Sequence, residues 1–222
     1  MLVMPTPEKS PMSPITASAW IEQWSHLVEQ GGAVVPDVTS GNGRHARYFA
    51  LRGHPVLALD RDEAALASLA AVQHVTTRCA DLENASWPLR EDEKFAAVVV
   101  TNYLHRPLFP YLFDALTPGG VLLYETFAVV NERFGKPSNS DFRLTPGELL
   151  EALRGRLRVI AYQDGFINVP RASCVQRIVA AAPSRPTPTG LAERNNGSIP
   201  FVTYCKANPL QSRFTDQFHS VS

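Results

Sequence analysis

The sequence lacks an excess of charge of either sign. Among its 222 residues, 21 are lysine or arginine and 21 are aspartate or glutamate, so the formal net charge is zero. A protein that binds nucleic acid or an anionic membrane through its overall charge carries a basic excess. We therefore expect neither of these partners, although the composition still allows a local basic groove.

Long apolar runs and paired cysteines are also missing. The longest uninterrupted apolar run, residues 95–100, is far shorter than the roughly 20 residues that span a bilayer. The start of the chain is rich in proline and contains no apolar core of a signal peptide. Neither metal-ligand spacing nor a disulfide framework links the three cysteines, Cys79, Cys174 and Cys205. These absences predict a cytoplasmic protein without a metal site, with two of its thiols in strands.

What the sequence does have is an alternation of strand-like and helix-like segments. Apolar, β-branched segments typical of strands lie at 33–38, 55–59, 74–79, 95–101 and 121–126. Segments with helical periodicity or helix-forming composition lie at 16–29, 43–52, 63–71 and 108–116. In the first of these, Trp20, Trp24 and Leu27 share one face, and Ser18 or Thr16 can cap its start. The alternating order predicts an α/β fold with a parallel sheet and right-handed crossovers.

The pattern changes after Phe127. A polar loop at about 128–145 is followed by a helix at 147–153, with Pro146 in its first turn. Two further strands are predicted at 157–163 and 174–181. The segment between them is too short for a crossover helix, so we expect these two strands to form an antiparallel pair.

Both ends of the chain differ in composition from the part between them. Residues 1–14 are rich in proline and serine, which predicts a flexible N-terminus. From Pro183 to residue 222 the chain is proline-rich at first and then polar, without periodicity, which predicts a disordered tail. The folded domain is therefore expected at 15–182.

A glycine-rich turn between the first strand and the following helix points to a bound nucleotide. Gly41 and Gly43 allow close backbone approach, and the free N–H groups at the helix start face the same place. Asp60 ends the next strand, where a carboxylate accepts hydrogen bonds from ribose hydroxyls. Because the turn also matches the dinucleotide fingerprint G-x-G-x-x-A, a nicotinamide-dependent oxidoreductase is an alternative, and a turn that only packs a helix on the sheet is another.

Two features favour a cofactor with an ammonium group over a dinucleotide. Asp37 precedes the glycine turn, where a pyrophosphate would gain nothing from a nearby negative charge, whereas a carboxylate suits an ammonium, directly or through water. In addition, the segment 116–122 (LTPGGVL) leads from a helix into a strand at the far side of the sheet.

Five motifs in order resemble the class I S-adenosylmethionine-dependent methyltransferases. They are 37–44 (DVTSGNGR), the acid at 60, 80–82 (ADL), 95–102 (FAAVVVTN) and 116–120 (LTPGG). Within that family the chain looks most similar to small bacterial tellurite-resistance-type methyltransferases, through 124–127 (YETF), 131–135 (NERFG) and 146–150 (PGELL). The resemblance implies S-adenosylmethionine as cofactor. With the short 164–173 connection, it implies a Rossmann-like seven-stranded, mostly parallel sheet in the order 3-2-1-4-5-7-6. Strand 7 would be antiparallel, with helices on both faces.

The resemblance also implies roles at the methionine end of the cofactor. Asp37, Ser40, Gly41 and Gly43 would hold this end. Thr39 stands where the family usually has glycine or alanine, so its β-branched side chain narrows the space beside the methionine carboxylate.

At the nucleoside end, the resemblance implies that Asp60 binds the ribose hydroxyls and that Arg61 lies beside the adenine. Asp81 would meet the adenine amino group, with Leu82 packing nearby.

The acceptor is expected beside the end of the fourth strand. Thr101 and Asn102 would line the site near the sulfonium, and Tyr103, His105 and Arg106 are the candidates for substrate contact and catalysis. No Asn-Pro-Pro-Tyr-type motif follows this strand, which argues against methylation of amino groups on bases or glutamine.

Two segments could cover the acceptor: the N-terminal helix with its tryptophans, and the 128–145 loop. Arg106, Arg133 and Lys136 would make this cover positive, which favours a small anionic or electron-rich acceptor over a macromolecule. Glu125 is either a carboxylate of this pocket or a partner of Arg133. A binding module without turnover is a further alternative, because Thr39 and the strand proline Pro36 could weaken cofactor binding.

Overall fold

The structure is a computed structural model, and it describes residues 16–29 and 34–184. Its strands are β1 Val35–Val38, β2 Val56–Asp60, β3 Val75–Cys79, β4 Phe95–Thr101, β5 Leu116–Phe127, β6 Arg158–Ile167 and β7 Ser173–Ala181. Its α-helices are α1 Ala19–Trp24, α2 Arg44–Ala50, α3 Glu63–Ala67, α4 Phe109–Asp114 and α5 Glu148–Leu153. The predictions for residues 1–14, for most of the 183–222 tail and for Cys205 lie outside the described residues.

The sheet confirms the predicted order and directions. Its seven strands lie in the order β3-β2-β1-β4-β5-β7-β6. The first five strands along the chain pair in parallel, whereas β7 runs antiparallel to both β5 and β6. Only five residues separate β6 from β7, as counted from the ends Ile167 and Ser173, and this length forces an antiparallel return.

Helices cover the sheet on both faces, as predicted. One apolar cluster joins α1 and α2 to the face of β1 that carries Val35, and a second joins α4 and α5 to the face that carries Val38. All seven residues of β4 are buried, as expected for the central strand of a sheet covered on both sides. Trp20 lies in the first cluster with Trp24 packed against it, so both tryptophans anchor α1 on the core.

The fifth strand starts earlier than predicted. The sequence gives a strand at 121–126, whereas β5 begins at Leu116 and includes the Thr-Pro-Gly-Gly segment. Its pairing with β4 shifts from Phe95↔Leu116 to Ala97↔Val121, so the extra residues form a bulge. A Cβ atom at Gly120 would lie 2.9 Å from the backbone oxygen of Phe95, which is why this position requires glycine.

Several helices are shorter than predicted. The first helix was expected over 16–29, but α1 ends at Trp24 and continues as a 3₁₀ turn over Ser25–Leu27. Its start follows the prediction, because Ser18 is the N-cap and its side chain accepts from the Trp20 N–H. The helix expected at 108–116 is a 3₁₀ turn, Arg106–Leu108, followed by α4.

The prediction that Pro146 lies in the first turn of its helix was wrong. The helix α5 begins at Glu148, and its N-cap Gly147 has a φ of 74°, which separates Pro146 from the helix. Left-handed backbone at that position stops the helix from extending toward its N-terminus, and glycine adopts this conformation without steric cost.

The central strand β1 accommodates Pro36 through its position in the ladder. Pairing with β2 covers all four residues of β1, whereas pairing with β4 is confined to Asp37 and Val38. The residue without an N–H group therefore lies just before the β1–β4 ladder begins.

Two further predictions concern thiols and membranes. Cys79 and Cys174 lie in β3 and β7 and form no disulfide, in agreement with the sequence. None of the helices formed within residues 16–29 and 34–184 is long and apolar enough to cross a membrane.

Candidate functional site

The strand order reverses between β1 and β4, and a crevice opens at the carboxyl ends of these two strands. The residues that follow the strands, Thr39 and Asn102, have φ angles of 60° and 56°. A β-branched residue rarely adopts this left-handed backbone, and such strained positions cluster at ligand sites. Ligands of doubly wound sheets bind at such a reversal point, so this crevice is the candidate site.

The glycine turn at this crevice is held to the neighbouring loop by Asp60. One carboxylate oxygen of Asp60 accepts from the Gly41 N–H at 2.7 Å, and the other accepts from the Asp62 N–H at 3.0 Å. Gly43 is the N-cap of α2 with a φ of 71°, and a Cβ atom there would lie 2.4 Å from a methyl carbon of Leu69. The turn therefore requires glycine at 43 both for its backbone and for packing.

A smaller cavity of about 170 Å³ lies beside this turn. It is lined by Thr39, Asp60, Arg61, Ala80, Asp81, Leu82, Glu83 and Tyr103. Five of these residues were predicted to bind the cofactor, and the structure brings them together although they follow three different strands. In the turn after β3, the Asp81 carboxylate accepts hydrogen bonds from the side chain of Asn84 and from the backbone of Glu83 and Asn84. The side-chain bond from Asn84 is the main reason that the pKa of Asp81 is lowered.

A larger cavity of about 460 Å³ adjoins the end of β4. It is lined by Glu83, Asn102, Tyr103, Leu104, Phe127, Lys136, Pro137, Phe142 and Arg171. Glu83 and Tyr103 line both cavities and form a shared wall. The Tyr103 hydroxyl is buried and makes no hydrogen bond of good geometry within the described chain. Burial, reinforced by the nearby Glu83 carboxylate, raises its pKa above the usual range, so the hydroxyl stays protonated.

The predicted acid Asp37 is buried behind the turn, and it lines neither of these cavities. One of its carboxylate oxygens accepts from the Ala46 N–H at 2.9 Å, in the first turn of α2. Burial raises the pKa of Asp37 to about 7, against the opposing effects of this hydrogen bond and of the Arg44 charge. Asp37 therefore keeps its proton to a higher pH than an exposed carboxyl group does, and an approaching cation would lower its pKa.

A buried histidine that the sequence analysis did not single out lies next to Asp37. The Nε2 atom of His45 accepts from the Ser18 N–H at 3.2 Å, which places the proton of the neutral ring on Nδ1. This Nδ1 lies 3.3 Å from Thr101 Oγ1 and 3.9 Å from Asp37 Oδ1. Burial lowers the pKa of His45 to about 3, so the ring is neutral in the folded protein. Only the tertiary structure brings the side chains of His45, Thr101 and Asp37 together, since they come from three different elements.

Glu125 pairs with Arg177, and so it fills neither of the two roles that the sequence left open, a pocket carboxylate or a partner of Arg133. Arg177 Nε lies 2.6 Å from Glu125 Oε2, and the Ser18 hydroxyl donates to the same oxygen at 3.0 Å. Both charged side chains are about nine-tenths buried, and neither lines the two cavities. Glu125 and Arg177 are register partners on β5 and β7, so the antiparallel pairing brings them together. The pair fixes the start of α1 to the sheet.

The other predicted site residues lie around the cavities. Ser40 is buried, and its hydroxyl has no hydrogen-bond partner in the described chain. His105 is half-buried at the start of the 3₁₀ turn and lines neither cavity. Arg106 is bound to Glu148, with 2.6 Å between Nε and Oε1, and it donates to the backbone oxygens of Asp141 and Arg143. Its guanidinium thus fastens the 128–145 loop to the body of the protein.

The predicted cover is formed in part. Lys136, Pro137 and Phe142 of the loop line the larger cavity, whereas Trp20 and Trp24 of α1 line neither cavity. In residues 16–29 and 34–184, no group of three histidine, cysteine, aspartate or glutamate side chains is placed to hold a metal ion. Arg171 and Glu83 were not predicted, because they lie outside the motifs and approach the site only in the folded chain.

The sequence of the central region matches a known family. Residues 36–123 fit the model of the methyltransferase domain family. This match covers less than half of the chain, and together with the strand order it supports a class I S-adenosylmethionine-dependent methyltransferase. The match indicates S-adenosylmethionine as the cofactor, and it favours this class over the nicotinamide class that the glycine turn had left open. A search of curated protein sequences found no significant match.

Solved structures share the fold of this methyltransferase domain. TehB from Haemophilus influenzae is 17% identical, with a TM-score of 0.60 over 73% of this chain and 61% of TehB. The chain thus spans less than two thirds of the length of TehB. An S-adenosylmethionine-dependent methyltransferase from Mesorhizobium loti is 19% identical, with a TM-score of 0.57 over 73% of this chain and 98% of that protein. The [4+2]-cyclase SpnF, 15% identical with a TM-score of 0.56 over 73% of this chain and 80% of its own, has the same fold.

Proposed function

We propose that this methyltransferase transfers a methyl group from S-adenosylmethionine to a small-molecule acceptor bound in the larger cavity. The observation that carries the proposal is the pair of cavities that meet at Tyr103 and Glu83. A cofactor in the smaller cavity and an acceptor in the larger one would face each other across this wall. On the sequence evidence alone, we assign the activity to the cytoplasm.

The residues present fit the cofactor. The smaller cavity offers the Asp60 and Asp81 carboxylates for ribose and adenine, with Arg61 and Leu82 beside the ring. At the methionine end, the buried Ser40 hydroxyl, which has no hydrogen-bond partner among the described residues, is available to a carboxylate, and Gly41 leaves room for its close approach. We assign the remaining family roles as follows: Thr39, Gly43 and Thr101 shape this end of the site, and Asp37 balances the ammonium from behind the turn.

The bound cofactor supplies an activated methyl group, so the protein has to align the acceptor and exclude water. Tyr103 is suited to donate a hydrogen bond and unsuited to act as a base, because its hydroxyl stays protonated. We therefore favour an acceptor that arrives as an anion or an electron-rich group, for which no general base is required. Asn102 and Tyr103 would orient it, with His105 close behind. Arg106 acts as a positioning residue through the loop that it fastens.

The test is a ligand titration followed by an acceptor screen. We expect S-adenosylmethionine and S-adenosylhomocysteine to bind and NAD(H) not to bind. With labelled cofactor, small anionic acceptors should yield S-adenosylhomocysteine, whereas protein and nucleic acid should yield none. Methylation of a macromolecule, or binding of NAD(H) in place of the sulfonium cofactor, would contradict the proposal.

A binding module without methyl transfer is the second candidate. Thr39 favours it, because a β-branched side chain in left-handed backbone occupies the edge of the smaller cavity. The fold alone does not decide this point, since a protein named as a cyclase shares it. Cofactor binding without turnover on a broad panel of acceptors would support this candidate.

A further inference from the structure

The larger cavity is lined by two cations that no carboxylate neutralises. Lys136 and Arg171 make no ion pair within the part of the chain that the structure describes. Of the arginines in the cover, Arg106 pairs with Glu148 and Arg143 with Glu132, whereas Arg133 forms no ion pair among the described residues. Two positive charges of this cavity therefore lack a counter-ion among the described residues.

Hydrogen bonds to the backbone of Lys136 and Arg171 hold both positions in place. The backbone oxygen of Lys136 accepts from the side chain of Asn131, and Asn131 in turn accepts from the Cys174 N–H at 3.1 Å. Asn131 is only 1% exposed, so this link to β7 is shielded from water. Arg171 lies two residues before the start of β7 at Ser173, and its backbone oxygen accepts from the Ser173 hydroxyl at 3.3 Å. Two positions that are far apart in sequence are thus fastened to one strand.

The rest of the cavity is apolar except at one side. Leu104, Phe127, Pro137 and Phe142 supply hydrophobic surface, and the guanidinium carbon of Arg171 lies 5.9 Å from the centre of the Phe127 ring. Phe142 is 44% exposed, so its ring is accessible to a ligand in this cavity. Glu83 is the only carboxylate of the lining, and it lies at the wall shared with the smaller cavity. The cavity is therefore negative toward the cofactor side and positive toward the cover.

We propose that the methyl acceptor is a planar, apolar small molecule that carries a carboxylate, with this carboxylate bound by Lys136 and Arg171. Its flat body would lie against Phe127 and Phe142, and its nucleophile would point to Tyr103. The cavity volume of about 460 Å³ suits a ligand of this size. This inference rests on the proposed function, because it assigns the larger cavity to the acceptor.

The test measures binding of matched probes to the full chain saturated with S-adenosylhomocysteine. The probes are 4-hydroxybenzoate and 3,4-dihydroxycinnamate, each paired with its uncharged primary amide, and the readout is calorimetry. Each carboxylate should bind about tenfold more tightly than its amide, since one charge-assisted hydrogen bond changes affinity by about this factor. Arg171→Gln and Lys136→Gln should each remove most of this preference. Arg154→Gln is the matched control, because Arg154 is exposed and pairs only with its helix neighbour Glu151.

Three results would overturn the inference: no binding of any probe, equal binding of acids and amides in the unsubstituted protein, or a preference that persists when both cations are replaced. The acid–amide comparison in the unsubstituted protein does not depend on how well a variant folds. A separate titration with S-adenosylhomocysteine alone tests the proposed function. Failure there, with carboxylate binding retained, would reject the methyltransferase proposal and leave the anion site standing.

Discussion

Asp60 combines two tasks in one side chain. Its carboxylate holds the Gly41 and Asp62 N–H groups, and the same group faces the smaller cavity. The sequence predicts an acid at the end of the second strand, where the structure has Asp60, because a single acid at a strand end is a local signal. Its tie to the glycine turn could not be read from the sequence, since the turn geometry depends on how β1 and β2 pair.

Replacing Asp60 by alanine should weaken binding of S-adenosylhomocysteine by roughly 1.5–3 kcal/mol, because charge-assisted hydrogen bonds are lost. Isothermal calorimetry measures the change directly. Asp92→Ala removes an exposed carboxylate that pairs with Arg90, and it should leave the affinity unaltered. Unchanged affinity in the Asp60 variant would refute the assignment of the smaller cavity to the cofactor.

Tyr103→Phe removes only the buried hydroxyl of the wall between the cavities. We expect turnover of the acceptor to fall about tenfold, as for loss of one hydrogen bond of about 1.4 kcal/mol, with cofactor affinity nearly unchanged. The free energy of unfolding should change by less than about 1 kcal/mol, because within the described residues the hydroxyl makes no hydrogen bond of good geometry, although the Glu83 carboxylate lies nearby. Steady-state kinetics together with urea unfolding separate these effects. Full activity in this variant, and in a His105→Gln variant, would place the acceptor elsewhere.

At the scale of elements, β1 and α2 meet at two buried groups with opposite responses to pH. The pKa of Asp37 rises from 3.8 to about 7 on folding. The contribution of Asp37 to the free energy of unfolding is therefore fully present below pH 3.8 and is lost as the pH rises to about 7. The pKa of His45 falls from 6.5 to about 3 on folding. The contribution of His45 to the free energy of unfolding is therefore fully present above pH 6.5 and is lost as the pH falls toward 3. Between pH 4 and 6.5 the two contributions oppose each other.

Replacing either residue alone should reveal how the other makes the free energy of unfolding depend on pH. In Asp37→Asn, the free energy of unfolding should rise with pH between 4.5 and 6.5, by up to about 1.4 kcal/mol per pH unit. In His45→Gln it should fall over the same range by a similar amount, while the unsubstituted protein stays nearly flat. Urea unfolding at several pH values provides the measurement. If both variants kept the profile of the unsubstituted protein, the buried pair would not titrate as described.

The link between α1 and the sheet depends on the buried Glu125–Arg177 pair. Glu125→Gln leaves the Arg177 charge without a counter-ion, and breaking a buried pair in this way costs about 3–5 kcal/mol. Arg156→Gln breaks the exposed pair with Asp114 and should cost less than about 1 kcal/mol. Thermal or urea unfolding compares the two. Equal losses in both variants would show that burial of the first pair contributes nothing.

The sequence predicted the elements more reliably than their ends. Period and motif order place all seven strands because alternation and apolar runs are local properties. The sequence did not predict the early start of β5 or the late start of α5. The bulge against Phe95 and the left-handed backbone at Gly147 arise from packing and turn geometry. Likewise, the partner of Glu125 depends on strand register, which no local pattern of residues encodes.

On the scale of the whole molecule, the described fold ends where the sheet ends. The backbone N–H of Ala182 donates to the Gly120 oxygen at 2.8 Å, which completes the contact of β7 with β5. The sequence places the domain boundary at this point, and the composition after Pro183 supports the same boundary.

Removal of residues 183–222 should therefore leave cofactor binding intact, within about 0.5 kcal/mol, because no predicted cofactor residue lies there. Calorimetry on the truncated chain measures this, with circular dichroism as the check on folding. Truncation after Ile178 is the contrasting variant, because it removes the last residues of a strand that two neighbours bind. Loss of binding after the shorter truncation would show that the tail belongs to the domain.

The wall that Tyr103 and Glu83 share between the two cavities has a thermodynamic consequence. Ligands on its opposite sides contact the same two side chains, so each ligand changes the state in which the other finds them. Such coupling is reciprocal: whatever factor one ligand imposes on the affinity of the second, the second imposes on the first. The affinity for the spent cofactor and the affinity for the next acceptor therefore depend on the same coupling free energy. Tyr103 and Glu83 together set this energy.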